Sequence, residues 1–479
     1  MCERPPAVGW KDRAGRTDRP DTPMLFFHGS GAKPKRAGGQ SDRQGASVWT
    51  SRKRRTAETQ AGADETSDDE AEPGSVSPAG ATTVTRPRRA AKPDAGPAGP
   101  IDVATSIGTA TFAFRGYDVT NLGRTPELLA HPAYGPVVRR HLDEASAVSA
   151  ATLGRPFDLA ARVEALAPST LDSFAEDVAT IVAVELAQVA LLEQFHGVKA
   201  AGARQCFGYS IGELAALVTG GVFTLEQLLP VPLACADDCA ELAADTTLGV
   251  LFSRGPTLTL KQVHDLCTEV SSEGRGVVGA SSYLSPNTVL VIGQGDTLDR
   301  LEKAMPAFLP DRTMLRRKPH KLPPLHTPIV RQRNVPNRAA TALYKIPGRV
   351  HSPKPDVLSC VTGAADYTPL NARDTLTDWV DKPQLLWDVI DETLRTGVDL
   401  VIHTGPAPNL IPATFERLSM NVSKSLGNRY FKALGRGVGS RMNRYAWLNR
   451  ILPSRANLLR APHVRHVILE DWLLARPVE

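Results

Sequence analysis

Between Leu171 and Phe195 the residues Phe174, Val178, Ile181, Val182, Leu186, Val189, Leu192 and Phe195 recur three and four apart. That period places them on one side of a helix, and it predicts a long one here. Before it, Thr109-Ala110-Thr111-Phe112-Ala113-Phe114 reads as a buried strand ending at Gly116. After it, a short apolar stretch, Gln205-Cys206-Phe207, leads into a glycine-flanked turn. Leu248 to Leu251, Gly276 to Gly279 and Val289 to Ile292 are predicted strands, with helices at Leu260 to Val270 and Thr297 to Met305 between them. Two strands and a helix at Val357 to Val361, Trp379 to Arg395 and Leu400 to His403 follow in the order strand, helix, strand. Strands alternating with helices call for a mostly parallel sheet covered on both faces, an α/β fold of the hydrolase-like kind. The strand–helix–strand–strand–helix run at about 247–318 fits a small inserted subdomain of ferredoxin-like type.

No such period survives in residues 1–100. They are rich in Arg, Lys, Gly, Pro, Ser and Asp, with a basic knot at Arg52-Lys53-Arg54-Arg55 and an acidic one at Asp68-Asp69-Glu70. A segment like this cannot bury enough apolar surface to offset its ordering entropy, so a disordered N-terminal extension is expected. The folded domain is then expected at 101–423. Residues 424–479 carry eleven Lys or Arg against three acidic groups, interleaved with Tyr430, Phe431, Tyr445, Trp447, Leu448, Ile451 and Leu452. That composition suits a basic amphipathic helix on an acidic partner or membrane face, or an extension packed back on the domain with its arginines in water. The second is the commoner arrangement.

Composition narrows the classes. An apolar fraction of 42% over 479 residues is globular, while 38 Pro and 38 Gly indicate a sizeable unpacked part. A net charge of +5 is too mild to argue for nucleic acid. The six cysteines show no C-x-x-C spacing and read as reduced, buried thiols. Cys235 and Cys239 share a helical spacing, but no nearby histidine completes a metal site, so none is expected. There is no run of about eighteen apolar residues, hence no expected membrane span. Residues 1–25 lack the apolar centre of a signal peptide, and a cytoplasmic location is expected. The oligomeric state is open.

The chemistry begins at Gly208-Tyr209-Ser210-Ile211-Gly212, which opens the helix-like run Glu213 to Val218 and stops at Gly220-Gly221. A serine between glycines on a strand-to-helix turn has the nucleophile-elbow pattern. The turn lifts the hydroxyl clear of the sheet and points the first helix N–H groups at whatever the serine attacks. A serine hydroxyl needs a base within hydrogen-bond reach. Among eleven histidines, His326 in Leu325-His326-Thr327-Pro328-Ile329-Val330 lies on a proline-flanked loop, with His320 and His403 as rivals. Spacing alone does not choose between them.

Several segments together resemble the malonyl-CoA:acyl-carrier-protein transacylases and the acyltransferase domains of fatty-acid and polyketide synthases. Gly208 to Glu213, the helix to Gly220 and Val222-Phe223-Thr224-Leu225-Glu226 resemble that family's elbow and helix. Leu325 to Val330 is similar to its histidine loop, Val357 to Gly363 to its LSNVTG strand, and Val398 to Pro406 with Leu410 to its closing glycine segment. The resemblance covers about two-thirds of the chain, a normal size for one large domain. It implies Ser210 as nucleophile and His326 as general base and acid. It also implies an oxyanion site at the Ile211 N–H and the Gly116-Tyr117 turn, a coenzyme A thioester as acyl donor, and the thiol of an acyl carrier protein as acceptor. No cofactor or metal is implied.

The departures bear on the substrate pocket. Tyr209 stands where the family has a histidine, and Gly116-Tyr117-Asp118 aligns with its GQG turn. Cys235 stands where an arginine would grip the malonyl carboxylate, with Asp237 and Asp238 beside it, and Leu284-Ser285-Pro286 replaces its NSP turn. Without the arginine the residues read toward a neutral acyl group, whereas the resemblance implies malonyl. Arg254 or Arg275 could supply the cation from another element. Two other readings stand beside the transferase: a thioesterase of the α/β-hydrolase class using His403, and a non-catalytic docking module on the same fold.

Overall fold

The computed structural model describes residues 101–433, 448 and 451–478. The reading of residues 1–100 as a disordered extension lies outside the described residues, as do Tyr445 and Trp447 of the basic segment. In chain order the strands are β1 (Ala110–Phe114), β2 (Gln205–Gly208), β3 (Thr246–Ser253), β4 (Val278–Ser285) and β5 (Thr288–Gln294). They continue with β6 (Thr313–Lys318), β7 (Asp356–Leu358), β8 (Leu400–Thr404) and β9 (Arg465–Ile468).

Five of them form the main sheet in the order β7-β2-β1-β8-β9, every neighbouring pair parallel. β1 and β8 are buried along their whole length, as a parallel sheet covered on both faces requires. Alternate residues serve the two faces. Phe112, Phe114, Cys206, Leu400 and Ile402 pack with the helices Gly135–Leu153 and Phe174–His196. Ala113, Phe207, Leu358 and Val401 pack on the other side with Val389 and Ile390 of Leu386–Arg395 and with Phe415 and Leu418 of Leu410–Ala433. The helix Phe174–His196 has the length and hydropathy of a membrane span, but most of it is buried inside the protein.

Strands β3 to β6 form a separate antiparallel sheet in the order β4-β5-β3-β6. Helices Leu260–Ser272 and Thr297–Phe308 cover one face through Val263, Leu266, Leu298 and Leu301. Leu248, Leu290 and Ile292 point to the other face, over the C-terminal ends of the main strands. This is the inserted subdomain, with the ferredoxin-like order of strands and helices.

Three local expectations change. The helix expected over Trp379 to Arg395 is two helices, Ala372–Asp381 and Leu386–Arg395. Pro383 is the reason, because a residue before proline is pushed out of the helical region and Lys382 is extended, at φ −96° and ψ 146°. Strand β7 stops at Leu358, where Ser359 and Gly363 close a turn. The boundary expected at 424 falls within the helix Leu410–Ala433, and farther on β9 and the helix Leu469–Leu474 complete the main sheet. Val467, Leu469 and Leu473 are buried there while Arg465 is exposed.

Candidate active site

Ser210 follows β2 and precedes the helix Gly212–Thr219, with a left-handed backbone at φ 55°. Such a conformation is uncommon for a residue with a Cβ and is held here by its surroundings. A Cβ on Gly208 would lie 2.0 Å from the backbone of Gly212, and one on Gly212 would lie 2.3 Å from the carbonyl oxygen of Arg115. The strand, the turn and the helix therefore pass too close for any side chain at either position. Gly116, after β1, presses on the same turn: its Cβ would meet the carbonyl oxygen of Tyr209 at 2.7 Å and the Cβ of Ser210 at 3.2 Å. The Gly116-Tyr117 backbone thus adjoins the serine, and the N–H of Ile211 opens the helix beside it. The helix is held from below by Glu213, a buried carboxyl that accepts from the Tyr367 hydroxyl at 2.7 Å and the Cys360 N–H at 3.3 Å. Burial pushes that carboxyl up to about 7.

His326 lies on the opposite bank. Its Nε2 is 2.7 Å from the Ser210 hydroxyl oxygen. Its Nδ1 is 2.6 Å from the carbonyl oxygen of Trp379, and its own N–H donates to the carbonyl of Val380 at 2.7 Å. A carbonyl only accepts, so Nδ1 carries the hydrogen and Nε2 presents its lone pair to the serine. Burial pushes the imidazole down to about 4, so it is neutral near pH 7 and ready to take a proton. No carboxylate completes a triad among the described partners of His326; a backbone carbonyl orients the ring. Trp379 also donates through its indole Nε1 to the carbonyl of Ser210 at 3.1 Å. Gln384 is buried beside both residues: its Oε1 accepts from the Ser210 N–H at 3.2 Å, and its Nε2 lies 3.3 Å from His326 Nδ1.

The rival histidines are elsewhere. His320 is exposed, and His403 on β8 pairs with His466 of β9 at 3.0 Å between ring nitrogens.

Solved structures share this architecture. An acyl carrier protein S-malonyltransferase from Vibrio cholerae superposes with a TM-score of 0.51 and 20% identity, over 64% of this chain and 92% of that one. A malonyl CoA-acyl carrier protein transacylase from Clostridium perfringens gives 0.51 and 19%, over 69% and 100%. One from Coxiella burnetii gives 0.51 and 18%, over 73% and 98%. The chain has the malonyl-CoA:acyl-carrier-protein transacylase fold. No family model and no curated protein matches the sequence.

Within that transacylase fold, the space in front of Ser210 is a cavity of about 60 Å³. Tyr117, Phe174 and Tyr209 wall it from the main domain, Leu248, Leu290 and Ile292 from the subdomain, and Leu322, Pro323 and Leu325 from the histidine loop. Tyr117 meets Phe174 edge-to-face at 5.0 Å. Among the described residues the wall holds no arginine, lysine or carboxylate.

Of the pocket residues expected from sequence, only Tyr209 lines this cavity, its hydroxyl bonded to Ser282 of β4 at 2.6 Å. Cys235 is buried in the core with Cys239, at the start of the helix Ala236–Ala243. The acids beside it do not face the serine: Asp238 pairs with Arg338, and Asp237 with Arg155 at 3.5 Å. Leu284 lines a different groove, with Trp387, Leu410 and Arg417. Neither Arg254 nor Arg275 reaches the cavity, Arg254 being exposed and Arg275 paired with Glu273 at 2.6 Å. Trp379, Gln384 and Phe174 were not anticipated as site residues. The signal in the sequence that could have found the first two is Pro383, which breaks the helical run between them.

The depressed imidazole makes a pH prediction. A histidine with the ordinary value of 6.5 would lose half its base form there, whereas His326 keeps it down to about 4. Acylation of Ser210 is therefore expected to stay level from neutral pH to near 5 and to fall only below that, as protonation removes the lone pair. The pH dependence of the acylation rate checks this; a midpoint near 6.5 would show that the imidazole is not held in a dry site.

Proposed function

We propose that the chain is an acyltransferase that takes an acyl group from a coenzyme A thioester onto Ser210 and passes it to the phosphopantetheine thiol of an acyl carrier protein. The observation that carries this reading is the 2.7 Å contact between the Ser210 hydroxyl and a neutral, backbone-oriented His326. In the first half-reaction, His326 Nε2 takes the hydroxyl proton as the serine oxygen attacks the thioester carbonyl. The C–S bond then breaks, and the departing thiolate recovers that proton from the imidazolium. In the second, the carrier thiol gives its proton to His326 and attacks the ester; the C–O bond to Ser210 breaks and the serine oxygen is reprotonated. The oxyanion of each step would lie against the Ile211 N–H and the Gly116-Tyr117 backbone. Apolar walls on three sides keep water from the ester, which favours transfer over hydrolysis. The thioesterase reading would need His403, and its partner is His466 rather than Ser210.

The acyl group is short and uncharged. The solved neighbours are named for malonyl transfer, but a malonyl carboxylate enclosed without a cation costs several kcal/mol, and no cation lines this cavity among the described residues. Intact-mass measurement of the protein offered acetyl-, butyryl- and malonyl-CoA in competition tests both points. The expected result is a covalent adduct that forms faster with the uncharged donors and moves to a carrier-protein thiol. A strong malonyl preference would show that a cation reaches the pocket. No adduct from any donor would leave the fold as a docking module. The pathway that fits is fatty-acid or polyketide synthesis in the cytoplasm.

A further inference from the structure

The segment Trp379 to Leu385 touches both Ser210 and His326. Trp379 and Val380 hold His326 through their carbonyls, and Asp381 is fixed by Arg331 at 2.6 Å. Lys382 and Pro383 interrupt the helix, and Gln384 then runs beside strand β4 as an isolated parallel bridge. Its N–H donates to the carbonyl of Ser281 at 2.9 Å, and its carbonyl accepts from the N–H of Tyr283 at 2.8 Å. The register of β4 slips between Ala280 and Ser282, the kind of bulge that turns backbone groups outward from a ladder. Here those outward groups are taken by Gln384. One fully buried residue therefore joins the inserted subdomain by its backbone and the serine by its side chain.

The orientation of its amide is fixed by chemistry. The Ser210 N–H can only donate, so the atom facing it at 3.2 Å is the oxygen. Exchanging the amide atoms would set two donors against each other. The Nε2 that faces His326 is then in contact with a ring nitrogen whose hydrogen already goes to Trp379.

We propose that Gln384 is a positioning residue through which seating of the small subdomain sets the backbone of Ser210 and the ring of His326 for reaction. The proposal rests on the Ser210–His326 reading of the site. When β4 is seated, Gln384 Oε1 holds the Ser210 N–H and keeps the turn in its left-handed form. When β4 withdraws, the backbone of Gln384 loses both anchors, its side chain is no longer held in place, and the serine loses the acceptor for its N–H. The wall residues Leu248, Leu290 and Ile292 belong to the same subdomain, so closing the cavity and aligning the dyad are one event.

The test uses the full chain and a readout independent of the acyl donor: sulfonylation of Ser210 by phenylmethylsulfonyl fluoride, followed by intact mass. In that step the serine oxygen bonds sulfur, fluoride leaves, and the hydroxyl proton goes to His326. Gln384→Met keeps the volume and removes the acceptor; it is expected to slow labelling roughly tenfold, the scale of one lost hydrogen bond to a buried group. Gln384→Glu keeps the acceptor and places a charge next to the imidazole. It is expected to restore most of the rate at neutral pH and to move the acidic limb upward by about one unit, because a neighbouring anion favours the imidazolium. A residue that only fills space would lower thermal stability in both variants and move neither rate nor limb. Wild-type labelling rates in Gln384→Met together with an unmoved limb in Gln384→Glu overturn the proposal, as does a wild-type serine that the reagent does not label. A serine that reacts with the sulfonyl fluoride in this pattern but with no acyl-CoA would sink the acyltransferase reading and leave the role of Gln384 standing.

Discussion

Ser210→Ala is expected to abolish the mass increment that an acyl-CoA leaves on the wild-type protein while the fold survives. The substitution removes one oxygen and retains the Cβ, so the φ of 55° costs alanine no more than it costs serine. The hydroxyl is bonded to His326 alone among its described side-chain partners, and the contacts that hold the turn, the close glycine approaches and the Gln384 and Trp379 side chains on its backbone, do not use it. Removing it leaves the imidazole without its neighbour but opens no sizeable cavity. Intact mass after incubation with acetyl-CoA reads the adduct, and thermal unfolding reads the fold. An adduct that persists on Ser210→Ala would move the nucleophile to another side chain. A protein that no longer folds would show that the hydroxyl holds the turn.

His326→Ala should slow acylation by roughly two to four powers of ten, the usual worth of a positioned general base. Without it the hydroxyl proton has no acceptor, since no second base is bonded to Ser210 among the described residues. Alanine also leaves the carbonyl of Trp379 buried without its donor, which lowers stability on its own account. His326→Asn separates the two effects. Asparagine offers an N–H toward Trp379, tolerates the left-handed backbone at φ 64°, and provides no base at neutral pH. Both variants should therefore lose rate alike, with the asparagine form the more stable. If His403→Ala loses activity in this way and His326→Ala does not, the dyad is wrongly assigned and the thioesterase reading gains.

The elements with a strong period were legible in the sequence. The helix at Phe174–His196 and the strands β1, β2, β3, β5 and β8 lie within a few residues of where the apolar pattern puts them. The elbow was legible because sterics leave only glycine at 208 and 212. His326 could be reached only through the resemblance, since a loop histidine carries no periodic signal and the carbonyls that orient it lie some fifty positions away, 2.6 Å from Trp379 for the ring. The pocket was the least legible part. The resemblance put Cys235 and Leu284 at the acyl group, but the wall is built from three separate elements whose approach no local spacing encodes. Gln384 escaped for the opposite reason: the apolar residues on either side of Pro383 continue so regular a pattern that the break, and the amide inside it, were read through.

Glu470 lies on the helix Leu469–Leu474, far along the chain from the serine, yet its carboxylate accepts from the N–H of Ala407 and from that of Arg124, each at 2.9 Å. The carbonyl of Pro406, next to Ala407, takes the guanidinium of Arg115, whose Nε holds the carbonyl of Gly116 at 2.7 Å. The turn that flanks Ser210 is thus tied down by a residue made some 350 positions after it. On the ribosome, a nascent chain acquires Ser210 and His326 long before it acquires this tether. The turn beside Ser210 is therefore held in this way only once the segment that finishes the sheet has been made.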